Sequence, residues 1–312
     1  MTLSGSYDFS MTRNELITAA WRMLGFRDPT TPFPDEIVHI NRNLNMMLKS
    51  WQNQNVGLWL TRTLYLFPAH ETASYSLSSS GANCTTAIIE TVIKTSAIAG
   101  ATTITVDSIS GIASLMIIGI ELDDGTRQWT TVSGSPSGSV VTLGAALTDA
   151  AAIGNTVKVY TTKAQRPLKI IDALWHDASG NDRPLQVANN DDYTAIPNKD
   201  TVSTPLMVYY DPQITTGVLY VWPKPDTVNG VIVMSAVYPI QDMDAATDNI
   251  EIPAEWFQAV MYGLAVEIAP QYPEQVSSQT YRELRERASE ELEAAKMADS
   301  EVSYTFTVDT GE

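Results

Sequence analysis

Three histidines and one cysteine restrict what this 312-residue chain can do by proton transfer, nucleophilic attack or metal binding. Glu36 and His39 stand three apart on a predicted helix, the spacing of half a di-metal carboxylate site. No second Glu-x-x-His follows, so the pair reads as part of a solvated helix face. Gly134–Ser135–Pro136–Ser137–Gly138 has the glycine spacing of a nucleophile elbow, but Pro136 stands where the serine belongs. Asp172, Asp177, Asp191 and Asp192 lie close in sequence to Trp175 and Tyr193. Paired carboxylates beside aromatic rings could hydrolyse a glycosidic bond; turn aspartates beside core aromatics account for the same pattern and are the better reading. Asn83–Cys84–Thr85 matches a glycosylation acceptor, with no secretory signal to accompany it. No glycine-rich phosphate loop opens a helix, and Asp123–Asp124–Gly125 lacks calcium-loop spacing. A lone Cys84 excludes an intramolecular disulfide and a multi-thiolate metal site. The expectation is no catalytic residue, no metal ligand and no cofactor.

Charge points the same way. The 36 acidic and 19 basic residues leave a net charge of -17, which opposes binding to nucleic acid by phosphate neutralisation. It is compatible with walls past which nucleic acid slides without sticking, and with solubility alone. A hydrophobic content of 44% is ample for a core, and no apolar run is long enough to span a bilayer. The opening MTLSGSYDFS lacks a basic start and an apolar middle, so synthesis in the cytoplasm is expected.

The elements that would position any site come in two kinds. Thr12 and Glu15 predict a capping box, followed by Leu16, Ile17, Ala20, Trp21 and Leu24 at helical spacing and a stop at Gly25. Pro34 reads as a first-turn proline for a second helix striped by Ile37, Ile40, Leu44, Met47, Leu48 and Trp51. Near the other end, Pro253 introduces a helix with Trp256, Val260, Leu264 and Ile268 four apart, widened by Phe257, Met261 and Ala265. Pro270 and Pro273 stop it. A last helix, predicted from near Glu274, carries Tyr281, Leu284, Ala288 and Leu292 inside a charge-laced face. Neither pair can bury its stripes alone, so the two ends of the chain are expected to form one helical bundle.

Between them the period changes from 3.6 to 2. Leu58, Leu60, Leu64 and Leu66 predict a strand, as do Tyr75 and Leu77. Residues 90–162 carry short alternating runs, among them Ile104 and Val106, Ile118 to Leu122, Val140 to Leu143 and Val157 to Tyr160. Asp123–Asp124–Gly125 is a hairpin turn among them. A small inserted barrel or sandwich is expected. Strands resume at Leu168–Ile171, Ala173–His176, Leu206–Tyr210, Val218–Trp222 and Val231–Val237. The fold class is α+β: a helical bundle from both termini, packed on antiparallel β-structure, with an inserted all-β domain. The predicted divisions are 1–84 for the helix pair and first strands, 85–163 for the insert, 164–298 for the sheet and last helices, and 299–312 for an arm. In that arm Val302, Tyr304, Phe306 and Val308 alternate with polar residues, as in a strand that completes this chain's sheet or adds to a partner's.

Together these segments resemble the head-to-tail adaptor, or head-completion connector ring, of short-tailed (podovirus-type) bacteriophages. The carriers are Leu24–Gly25, Pro32, Pro34, Leu44 to Leu48, Trp51 and Gly57–Leu58, then Gly119 to Thr126 with Trp129–Thr130 and Val159–Tyr160. Leu219 to Pro223, ahead of the acidic last helices, completes the set. The resemblance implies a structural virion protein of the neck or tail, forming a ring commonly of twelve copies beneath the portal. Such a ring extends the DNA channel, helps retain the packaged genome and docks the tail tube, nozzle or fibres. Double-stranded DNA passes through without sequence-specific binding, and no membrane is involved. By the same resemblance, Val302, Tyr304, Phe306 and Val308 form a portal-binding arm, and Trp256, Val260, Leu264, Tyr281 and Leu284 mark the ring-packing helices. The insert is longer than in smaller adaptors. Two other readings remain open at this level: a tail-tube or nozzle ring component, and a virion-associated glycan-binding or glycan-hydrolysing module.

Overall fold

The first helix starts where its cap predicts. In a computed structural model, which describes residues 9–26, 32–53 and 58–299, the Thr12 hydroxyl accepts the Glu15 amide and Glu15 Oε2 accepts the Thr12 amide at 2.8 Å. Helix α1 (Arg13–Met23) follows, and Gly25, at φ 89°, takes the left-handed conformation that ends it. Helix α2 (Pro34–Asn53) opens with Pro34 in its first turn, while Glu36 reaches back to the Phe33 amide. Ile40, Leu44, Met47 and Leu48 are buried.

Two compact units account for the chain, one from residues 1–60 with 239–312 and one from 61–238. In the first, α4 (Phe257–Ile268) is the central helix, lying against α1, α2 and α5 (Ser278–Ala298). The predicted stripe holds: Trp256, Val260, Leu264 and Ile268 are all buried. Gly263 lets α2 approach, since a Cβ there would come within 3.0 Å of Met47 Sδ and of the Trp51 ring. Two boundaries move. Pro253 caps a short 3₁₀ turn ahead of α4 instead of occupying the helix's first turn. α5 begins at Ser278, capped by the Ser277 hydroxyl, and not near Glu274. On α5 only Leu284 and Ala295 are buried. Among the described residues no helix is long and apolar enough to cross a membrane.

The 61–238 unit holds two sheets. The larger is built from β1 (Thr61–Leu66), β2 (Ser74–Leu77), β3 (Cys84–Thr85), β10 (Lys169–His176), β11 (Asp182–Ala188), β12 (Met207–Asp211), β13 (Gly217–Trp222) and β14 (Val231–Val237). Its order is β2-β13-β12-β11-β10-β14-β1-β3. The alternation that predicted these strands puts Leu64, Leu66, Leu77, Leu219, Val221, Ile232 and Met234 in one core. The antiparallel expectation fails at one pair, because β11 and β12 run parallel. A parallel pair needs a long crossover, and residues 189–206 supply it with the short helix α3 (Asn190–Thr194). Tyr193 of that crossover packs on Tyr209 and Tyr220, at ring distances of 5.6 and 5.1 Å, and so holds it to the sheet. The two strands predicted at 168–176 are one, with the register shifted between Ile170 and Asp172. Residues 58–60, predicted as strand, form a 3₁₀ turn.

The smaller sheet contains β4 (Ile89–Thr95), β5 (Thr103–Val106), β6 (Ile117–Glu121), β7 (Arg127–Thr131), β8 (Val140–Thr142) and β9 (Thr156–Tyr160), ordered β7-β6-β9-β4-β5-β8. Just past β7 and β8, Val132 and Leu143 bridge antiparallel, so the sheet's two edges meet and it curls into a barrel. Ile104, Val106, Ile118, Ile120, Val141, Val157 and Val159 fill it. The β6–β7 turn is the predicted one, with Gly125 at φ 80°. The outside of this barrel is not free. Trp129 and Tyr160 pack with Phe67, which follows β1, at ring distances of 5.1 and 5.9 Å. Beneath Trp129 lies Gly119, where a Cβ would sit 2.5 Å from the indole. Lys158, 6% exposed, pairs with Glu90 beside them.

Candidate functional site

The residues that could have done chemistry are held by local structure. His39 is exposed on α2, while Glu36 caps that helix. Asp172 accepts the Ser235 amide at 3.2 Å. Asp177 accepts the amides of Ser179 and Asn181 in a turn, at 2.8 and 3.0 Å, and the Asn181 contacts draw its pKa below the ordinary carboxylate range. Asp192 closes the capping box of α3 with Asn189, and Asp191 sits in that helix's first turn. Trp175 is 3% exposed and faces the core, stacked over Gly230. The carboxylates and the indole therefore do not converge on a common cleft. Gly134 and Gly138 turn a loop at φ 76° and 57°. Cys84 is buried, and burial pushes its thiol pKa up, which removes the thiolate a nucleophile needs. Among the described residues, no group of three His, Cys, Asp or Glu is placed to hold a metal ion.

The residues expected to mark ring packing are divided by burial. Trp256, Val260 and Leu264 lie inside the helical unit, with Trp256 against Trp51 and Trp59 at ring distances of 6.2 and 5.0 Å. Leu284 is 8% exposed and Tyr281 is half-buried. The four buried ones join the helices of one chain to each other. Val302, Tyr304, Phe306 and Val308 lie outside the described residues.

Among the surfaces that the helical unit presents outward is the far side of α2. Val38 and Met46, eight residues apart, are 59% and 55% exposed, with Arg42 exposed between them. They edge a groove of about 670 Å³ shared with the 242–244 segment. That segment is strapped along α2 by side chains of the helix. Asn41 Nδ2 donates to the Met243 carbonyl at 3.0 Å, and Asn45 Oδ1 accepts the Met243 amide at 3.2 Å. Lys49 donates to the Ile240 carbonyl and pairs with Asp242 at 2.9 Å. Asn41 Oδ1 is buried without a partner at the same place. The stripe that identified α2 concealed this surface, because Val38, Arg42 and Met46 repeat at the same i, i+4, i+8 spacing on its other face. Two periodic apolar positions beside an exposed arginine were the available signal.

No family model matches the chain, and no curated protein matches it.

Proposed function

We propose that this chain is a structural virion protein: a ring-forming head-to-tail adaptor of a short-tailed bacteriophage, without enzymatic activity. Its helices α1, α2, α4 and α5 form the bundle that is the ring body. In the neck it binds below the portal, extends the DNA channel, helps retain packaged DNA and docks the tail. The observation that carries the reading is the outer face of α2, where Val38 and Met46 flank Arg42 beside the groove. Ring closure joins one surface of each subunit to a different surface of the next. An exposed helix face mixing apolar and cationic groups suits one side of such a contact. The net charge supports the rest: twelve copies at -17 would carry about -200, and an acidic channel keeps DNA mobile.

The test mixes the purified chain with the portal protein of the same genome and weighs the complex by native mass spectrometry. About one chain per portal subunit is the expected result. Val38→Glu with Met46→Glu should leave the thermal melt of the monomer intact and reduce ring occupancy at least about tenfold, since two charges would enter an apolar contact. Absence of any portal complex at micromolar concentration overturns the portal-binding role and moves the chain to a ring lower in the tail.

A further inference from the structure

The barrel of the 61–238 unit has a seated side and a side turned away from the seat. Ile117 on β6, Trp129 on β7 and Tyr160 on β9 pack with Phe67 and Val231, which belong to the larger sheet and its continuation. In the order β7-β6-β9-β4-β5-β8, closed between β8 and β7, the strand farthest round from β6 is β5, with β8 beside it. Ile104, Val106 and Val141 fill the barrel, so Thr103, Thr105, Val140 and Thr142 alternate outward. Thr103 is registered opposite Thr142, and Thr105 opposite Val140. Thr105 is half-buried and the other three are exposed. All four are β-branched and stiff at χ1, so they lose little freedom when covered. The loop that leads into β5 adds Ile98, 76% exposed.

Charge is nearly missing from this part of the chain. Residues 95–120 and 128–155 carry two charged side chains, Asp107 and Asp149, in a chain that is 18% charged overall. Both stand outside β5 and β8. A solvated surface ordinarily mixes charges of both signs, whereas depletion of charge marks the covered core of an interface. The face offers no strand edge either. The Ser133 amide donates to the Thr142 carbonyl at 2.8 Å, and the Gly144 amide to the Thr131 carbonyl at 2.7 Å. A partner must therefore rest on the side chains.

We infer that this face docks on the same face of a second copy of the chain, as a two-fold pair of barrels. Charge selects the occupant. Each copy carries -17, so two copies repel and touch most readily where no carboxylates are brought together. The β5–β8 face meets that condition. A basic protein would find no carboxylate at these four positions, and nucleic acid would find no cation. In a two-fold contact one patch serves both partners, and two sheets pack face to face about 10 Å apart. The contact leaves α2 free and is independent of the ring reading.

Sedimentation velocity on the intact chain, from about 5 to 200 µM, reads the association. The expected species is a dimer that tightens at least about threefold between about 0.05 and 0.5 M NaCl, because salt screens the repulsion and no ion pair is lost. Thr103→Asp with Val140→Asp should weaken the dimer at least about tenfold, and Thr103→Lys with Val140→Lys should do the same. An equimolar mixture of the two variants should pair again across opposite charges, which misfolded chains would not do. Val38→Glu with Met46→Glu should leave the dimer intact, so the ring contact and this one fail separately. A monomer throughout the range would overturn the proposal and leave the face to a different partner. An Asp variant that associates as wild type does, a mixture that stays apart, or a dimer that salt dissolves would overturn it too.

Discussion

Single residues in this protein matter most where two rings or a ring and a backbone share one space. Gly230 is the sharpest case. A methyl group there would fall 1.9 Å from Trp175 Cζ2, so Gly230→Ala must push the indole out of a core in which it is 3% exposed. Overpacking of this kind costs about 1–3 kcal/mol, read as a lower midpoint in urea. An unchanged midpoint would show that the Trp175 ring can give way at no cost. Cys84 shows a simpler principle. One cysteine made an intramolecular disulfide impossible from composition, but only its burial in the core, on strand β3, makes the thiol inert.

At the scale of elements, caps and aromatic contacts decide what is fixed. Thr12→Ala removes the hydroxyl half of the α1 cap and should cost about 1 kcal/mol of stability, measured by thermal unfolding. Glu15 answers with a pH dependence. Its pKa is lowered, first by the Thr12 amide and then by the Thr12 hydroxyl. A group lowered on folding stabilises the native state fully above its unfolded value, near 4.3 for glutamate, and loses that contribution as pH falls through the lower folded value. The difference between wild type and Thr12→Ala should therefore shrink below about pH 4; a difference that stays constant would mean that Glu15 gains nothing from the Thr12 hydroxyl. The barrel depends on a second contact. Trp129, packed beside Tyr160 of the barrel, holds it to Phe67, and Trp129→Ala should cost up to about 3 kcal/mol, less than a fully buried tryptophan because this one is only partly buried. Limited proteolysis should then cut near residues 85–88 and 161–164, whereas an unaltered digest would mean the other contacts suffice.

For the whole molecule, chain order and physical unit differ. Residues 61–238 are continuous in sequence and contain both sheets, while the helical unit needs both ends of the chain. A fragment of 61–238 should give a cooperative melt and a β-rich circular dichroism spectrum on its own. Residues 1–60 alone should not, because α1 and α2 would lose α4, the helix they pack on. A fragment of 61–238 that fails to melt cooperatively would show that the helical unit is required for the sheets to form.

Local rules were enough for what repeats locally. The four long helices, the Thr12–Glu15 box, the β6–β7 turn and most strands follow from spacing and caps, because those interactions span only a few residues. The parallel β11–β12 pair did not follow. Its crossover is packed down by Tyr193 folding back onto Tyr209 and Tyr220, a contact that no local period encodes. The status of Trp256, Val260 and Leu264 was equally out of reach. An apolar stripe states that a face must be covered, and the covering surface can belong to the same chain or to another. Tertiary structure assigned theirs to the same chain and left Val38, Arg42 and Met46 outside.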